Sequence, residues 1–228
     1  MARLPTALAL AFAQLGDGAI LQVIGKSLAI TLALFAFLAW ALSYGFAAAL
    51  AWGGLADTSG ASALLAILVT IIAAWLLFRI VALFVLQFFA DDVVRAVEAR
   101  HYPAALGGAR KVPLAEELRG SVRALFRTLV VNLIALPFAI ALLATGIGTA
   151  ILFWAVNAWL LGRELQDMVW LRHRRSPEDA QPLGGPTRFA LGGAVAAFFL
   201  VPLANLLAPV LGAASATHLV HRSRHAPA

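Results

Sequence analysis

Apolar residues along the chain gather into four long blocks parted by short polar segments. This grouping follows neither the alternation of a half-buried strand nor the single stripe of a surface helix. The first block covers about 27–52 and the second about 61–90. Each is long enough for a helix to cross the roughly 30 Å hydrocarbon core with some tilt. Between them Gly53, Gly54, Asp57, Thr58, Ser59 and Gly60 predict a turn that carries no Lys or Arg. The third block is interrupted by Pro137 and then by Thr145, Gly146, Ile147 and Gly148, where flexible residues let a helix stop and reverse, so a hairpin is predicted over about 116–172. The fourth is interrupted by Pro202 and Pro209. Two helices cut from it would hold about 15 residues each, below the roughly 17 of a full crossing, which leaves a choice between one kinked span and a re-entrant hairpin over about 187–221.

Charge bears on that choice, because cytoplasmic loops are enriched in Lys and Arg. One basic cluster holds Arg95, Arg100, Arg110, Lys111, Arg119, Arg123 and Arg127, a second holds Arg163, Arg172, Arg174, Arg175 and Arg188, and a third holds Arg222 and Arg224. Two spans separate the first cluster from Arg3 and Lys26, so all of these groups share one side if both later blocks cross an even number of times. The reading is an all-α integral membrane protein with two long transmembrane helices followed by two helical hairpins that partly penetrate the bilayer. It is multi-pass in a bacterial inner membrane, with basic loops and both termini cytoplasmic. Residues 1–14 read as a short amphipathic lead-in rather than a cleaved signal.

Composition supports the membrane. Of 228 residues 62% are hydrophobic and 12% charged, mean hydropathy is +0.90, and a soluble domain carries about 25% charged residues. Residues 1–228 are expected to form one helical membrane domain, since the polar connections are too short for a second core. The absence of cysteine excludes disulfides, thiolate metal sites and cysteine nucleophiles. The net charge of +6 faces anionic lipid rather than nucleic acid. Small residues recur at Ala41, Ser43, Gly45, Ala49 and Gly53, and again at Ala204, Ala208, Gly212 and Ala216, faces suited to close helix packing and to a homo-oligomer.

Few positions suggest chemistry. Arg79 lies about 18 Å of helix from Asp91, farther than snorkelling readily spans, so it is either a functional cation or the packing partner of an asparagine such as Asn132, Asn157 or Asn205. Those three asparagines are the candidate pore-side polar groups. Gly25, Lys26 and Ser27 resemble the tail of a phosphate-binding loop, but Ile20 stands where that loop needs glycine, so Lys26 marks the cytoplasmic end of the first span. His218, His221 and His225 fall at helical spacings of three and four. With no carboxylate or thiolate close in sequence, a basic lipid-facing terminus is favoured over a metal site. Glu116, Glu117, Glu164 and Asp167 sit among arginines as solvated helix ends do. No nucleophile, base and oxyanion-donor set is present in the sequence, and neither an enzyme nor a cofactor is expected.

Glu117 and Leu118, the Gly146, Ile147, Gly148 turn, then Trp154, Ala158, Trp159, Glu164 and Asp167 form an ordered pattern, closed by VPLANLLAPVLGAASAT from Val201 to Thr217. In order and spacing this resembles the membrane family of CysZ and etoposide-induced protein 2.4, over most of the chain from about Ala61 and best after Glu116. The resemblance implies two long transmembrane helices and two partly inserted hairpins, and for bacterial members sulfate uptake serving cysteine synthesis. The family's Gly-Leu-Arg segment implicated in sulfate binding aligns with Gly18, Ala19 and Ile20, so its arginine is absent here. Gly16, Gly18 and Lys26 are the pieces left for holding an anion at that helix start, with Arg79 as a further candidate. The expectation is a permease or channel for a small inorganic anion such as sulfate. The alternative is a non-transporting scaffold or membrane-shaping protein, since eukaryotic relatives are tied to endoplasmic-reticulum and autophagy roles.

Overall fold

In a computed structural model of the chain, the described residues are 4–52, 68, 72, 89–176, 178–201 and 204–224. Every regular element among them is helical. The 53–60 turn and most of the second predicted span, Arg79 included, lie outside them. Contacts divide the chain into two units, residues 1–20 with 90–228, and residues 21–89.

Helix α1, Leu4–Ala13, ends in a 3-10 turn over Gln14–Gly16, and α2 follows as a 35-residue helix, Gly18–Trp52. It begins well before the span predicted from position 27. Nothing between Gly18 and Ser27 stops a helix, and the lone Gly25 costs only about 1 kcal/mol of propensity. Its stretch Gly18–Leu38 and the stretch Leu114–Thr145 are each long and apolar enough to cross a membrane. Both leave large apolar side chains uncovered, Leu28, Leu32 and Phe37 on one and Phe126, Leu133 and Ile134 on the other. Helices apolar around their circumference belong in lipid.

Residues 89–101 are helical (α3). Ala90, Val93, Val94 and Val97 recur at the three- and four-residue spacing of one helix face and are buried, while Arg95 and Arg100 point outward. After the short α4, Pro103–Gly107, come α5, Leu114–Leu142, and α6, Ile147–Trp170. These two form the first hairpin. It reverses at Gly146, whose φ of +62° and ψ of −57° suit no L side chain. Pro137 lies inside α5 and does not end it. Gly146→Ala is expected to cost about 1–3 kcal/mol, read as a lower thermal midpoint in detergent, although open space surrounds the site.

The second hairpin is α7, Gly185–Phe199, and α8, Ala204–Arg224. Helices α1, α6, α7 and α8 pack together around Leu165, Val169, Leu191, Val195, Leu211 and Leu219. Gly162 on α6 and Gly192 on α7 meet backbone to backbone. The small face of α8 is spent within this core: Ala208 and Ala216 are buried, and Gly212 faces Leu165 and Val195. Two ties close the polar end of the first hairpin. The Arg110 N–H donates to the Arg172 carbonyl at 2.9 Å, and the Arg110 guanidinium forks onto Glu116 at 2.7 and 2.8 Å, with Arg174 on the same carboxylate.

Candidate functional site

The antiparallel hairpin sets the basic start of α5 beside the charged end of α6, and the α6–α7 packing adds the start of α7. Arg127 therefore has Arg163, Asp167, Glu164 and Arg123 as its electrostatic neighbours. Arg163 Nε lies 3.9 Å from Asp167 Oδ2, a loose ion pair. The Nε atoms of Arg127 and Arg163 are shielded from solvent and have no hydrogen-bond partner. Arg188, one turn into α7, donates to Gln181.

Trp159, Arg163, Gly185, Arg188 and Phe189 enclose a cavity of about 50 Å³. One water needs about 10–15 Å³, so the space suits a few waters or one small anion. Two arginines from different helices, Arg163 on α6 and Arg188 on α7, are among the residues that line it. The first turn of α7, capped by no side chain, adds the positive end of a helix dipole. Two arginines and a helix start suit an oxyanion chemically, and Asp167, an electrostatic neighbour of both Arg163 and Arg188, opposes tight binding.

None of the sequence-predicted residues is among those that line this cavity. Gly16 closes the 3-10 turn and Gly18 opens α2, with open space beside both. Asp17, between them, is paired with Arg100 at 3.0 Å, so an arginine does reach this segment, from α3. Lys26 is exposed on α2, and Arg79 falls outside the described residues. Asn132 and Asn157 are exposed and donate to the carbonyls of Thr128 and Phe153 one turn back on their own helices, each at 2.8 Å. Asn205 is exposed on α8. Asn132 borders an open apolar groove of about 530 Å³ between α5 and α6, and neither Asn157 nor Asn205 lines it.

A second polar cluster is buried. Glu98 on α3 accepts hydrogen bonds at one oxygen, Oε1, from His173 Nε2 at 2.6 Å and His221 Nε2 at 3.0 Å. Burial pushes the Glu98 carboxyl up, but the two histidine hydrogen bonds and the charges of His173 and Arg172 outweigh it and hold the group at about 2. The C-terminal histidines therefore do not form the lipid-facing terminus expected. His218 and His221 are both 1% exposed, and His218 turns to Gln14 and Tyr102 instead, at 2.6 and 2.8 Å. His225 lies outside the described residues. The readable signal was Glu98 itself, an acidic residue on the buried face of α3, four residues after Val94.

The lipid-facing helices and the helical architecture define an all-α membrane protein. The chain matches the sulfate transporter CysZ/etoposide-induced protein 2.4 family over residues 7–209 and belongs to it. No curated protein and no solved structure was found to match.

Proposed function

We propose that the protein is a permease or channel that passes a small inorganic anion, sulfate among them, across a bacterial inner membrane without an enzymatic step. The observation that carries this reading is the small cavity between α6 and α7 that Arg163 and Arg188 both line. Two arginines beside a helix start suit the oxygens and the charge of such an ion. The neighbouring carboxylates of Glu164 and Asp167 keep binding weak enough for release, as conduction requires. Membership of a family named for a sulfate transporter supports the same reading. The basic loops and both termini lie on the cytoplasmic side, the two hairpins enter the bilayer only in part, and copies of the chain associate with one another.

The test is uptake of radiolabelled sulfate into proteoliposomes carrying the purified protein. Empty liposomes and an Arg163→Ala/Arg188→Ala double variant are measured beside it. Uptake is expected above the empty control and at least about tenfold lower in the double variant, since each charge-assisted hydrogen bond contributes roughly 1.5–3 kcal/mol. Arg79→Ala and Lys26→Ala belong in the same series as further candidate anion contacts. Folded protein that takes up no more sulfate than empty liposomes would remove sulfate as the cargo and favour the scaffolding role. Full uptake by the double variant would remove this cavity from the path.

A further inference from the structure

Glu98, His173 and His221 come from α3, from the turn after α6 and from the last turn of α8. They meet with their three donor atoms all within 4.8 Å of one another. Each side chain is at most 3% exposed. The rings are fixed by their surroundings: His173 stands edge-on to His221 with centroids 4.9 Å apart, and Tyr102 stacks on His221 at 4.6 Å. We propose that these three residues form a binding site for a divalent metal ion of zinc type, which staples α3 and α8 to the end of α6.

Two observations carry this. The first is the donor set, because two imidazole nitrogens and one carboxylate, with a fourth position free, are what zinc and its first-row neighbours take. Magnesium and calcium prefer oxygen donors alone. The second is an imbalance within the cluster. Both histidines use Oε1 of Glu98, while Oε2 is buried with no hydrogen-bond partner. Its nearest recorded cation is Arg172, with Nη2 at 3.8 Å, and Nη1 of that guanidinium is likewise buried without a partner. A knot held by hydrogen bonds alone would satisfy the histidines and still leave this oxygen orphaned, which is costly in a protein interior. A metal ion seated between Oε1 and the two Nε2 atoms, with Oε2 drawn in as a second contact of the same carboxylate, takes up those free lone pairs, and each imidazole N–H shifts from Nε2 to Nδ1 as Nε2 becomes a ligand. With metal–ligand bonds of about 2.1 Å, ligand atoms in a tetrahedron stand about 3.4 Å apart. The 2.6 and 3.0 Å separations therefore widen by less than about 1 Å.

Arg172 gives the proposal a distinctive consequence. Its charge opposes a second cation beside Glu98, so it lowers the affinity of the site. The Arg172→Met variant is expected to bind the ion at least about tenfold more tightly, whereas a residue that only buttressed the ligands would weaken binding when removed.

The experiment uses full-length protein without a histidine tag, stripped with chelator in detergent and titrated with Zn²⁺ or Mg²⁺. Bound metal is counted by mass spectrometry, and the thermal midpoint is followed in parallel. One Zn²⁺ per chain is expected, with a higher midpoint in Zn²⁺ and none of this in Mg²⁺. Glu98→Gln, His173→Ala and His221→Ala are expected to bind about a hundredfold more weakly or not at all, while His101→Ala, on an exposed position, leaves binding unchanged. Should the ligand variants fail to fold, Co²⁺ loaded into the unaltered chain decides, since a four- or five-coordinate nitrogen and oxygen site gives intense visible absorption and a surface-bound hexaaqua-like ion does not. Substoichiometric zinc at micromolar free metal, undiminished binding in folded ligand variants, or weak octahedral Co²⁺ spectra would each overturn the proposal. None of these readouts depends on anion uptake.

Discussion

Leu133→Arg is expected to cost roughly 2.5–3.5 kcal/mol and to leave the protein poorly inserted. Leu133 is 70% exposed on α5. In a soluble protein such a position tolerates a charge, with stability changing by no more than about 0.5 kcal/mol. Its neighbours along the helix, Leu129, Leu136 and Ile140, are uncovered as well, and the groove that Leu133 lines with α6 is open and apolar, so the surrounding solvent decides the outcome. Leu114→Arg is the matched control. Leu114 is 69% exposed, the same within a percent, but it lies in the first turn of α5 beside Glu116 and Glu117. There the added charge is expected to be neutral. Resistance to alkaline extraction from membranes and the thermal midpoint in detergent read both variants. If Leu133→Arg were as firmly inserted and as stable as Leu114→Arg, α5 would not be in contact with lipid at its centre.

The contrast between those two leucines shows what a sequence can and cannot reveal here. The third apolar block disclosed its reversal because Thr145 to Gly148 is a local signal, and Gly146 adopts the positive φ that such a glycine permits. Pro137 misled, since a proline in a helix costs one backbone hydrogen bond and the chain on both sides of it stayed helical. Helix α2 likewise runs on through Lys26 to Gly18, beyond the span expected from position 27. Lys26 looked like the edge of a span, but a single exposed lysine neither caps nor breaks a helix.

The candidate sites were less legible because they are assembled across the chain. Arg163 and Arg188 read individually as loop charges, and only the α6–α7 contact brings both to the lining of one cavity. His221 meets a carboxylate 123 residues away and His173 meets the same one from 75 away, so no spacing rule along one helix could pair them. Neighbouring histidines on α8 even diverge, His218 toward α1 and Tyr102, His221 toward Glu98. Two of the candidate asparagines are satisfied locally. Asn132 and Asn157 looked like polar groups in need of partners, and each finds one in the carbonyl four residues back.

The α6–α7 contact beside this cavity is the tightest glycine approach among the described residues, and it sets the second large expectation. A Cβ placed on Gly192 would stand 2.0 Å from the Ala158 carbonyl oxygen and 2.4 Å from the Gly162 nitrogen, and one on Gly162 would stand 1.9 Å from the Arg188 carbonyl oxygen. These obstacles are backbone atoms, so no side chain can swing aside. The helices themselves must part. Overpacking a core costs typically 1–3 kcal/mol when side chains can adjust. Gly192→Ala is expected to reach the top of that range, about 3 kcal/mol, and Gly192→Leu to prevent the folded state from forming. Separation would stretch the 3.0 Å bond from Trp154 Nε1 to the Gly193 carbonyl, open the packing of Leu191 and Val195, and move Arg188 away from Arg163. Gly120→Ala, in α5 with open space around it, is expected to be neutral or to stabilise by up to about 1 kcal/mol through helix propensity. Thermal midpoints in detergent decide between these outcomes. A Gly192→Ala protein as stable as its parent would mean that α6 and α7 do not approach this closely, and Arg163 and Arg188 would then lack the scaffold that brings both to the lining of one cavity.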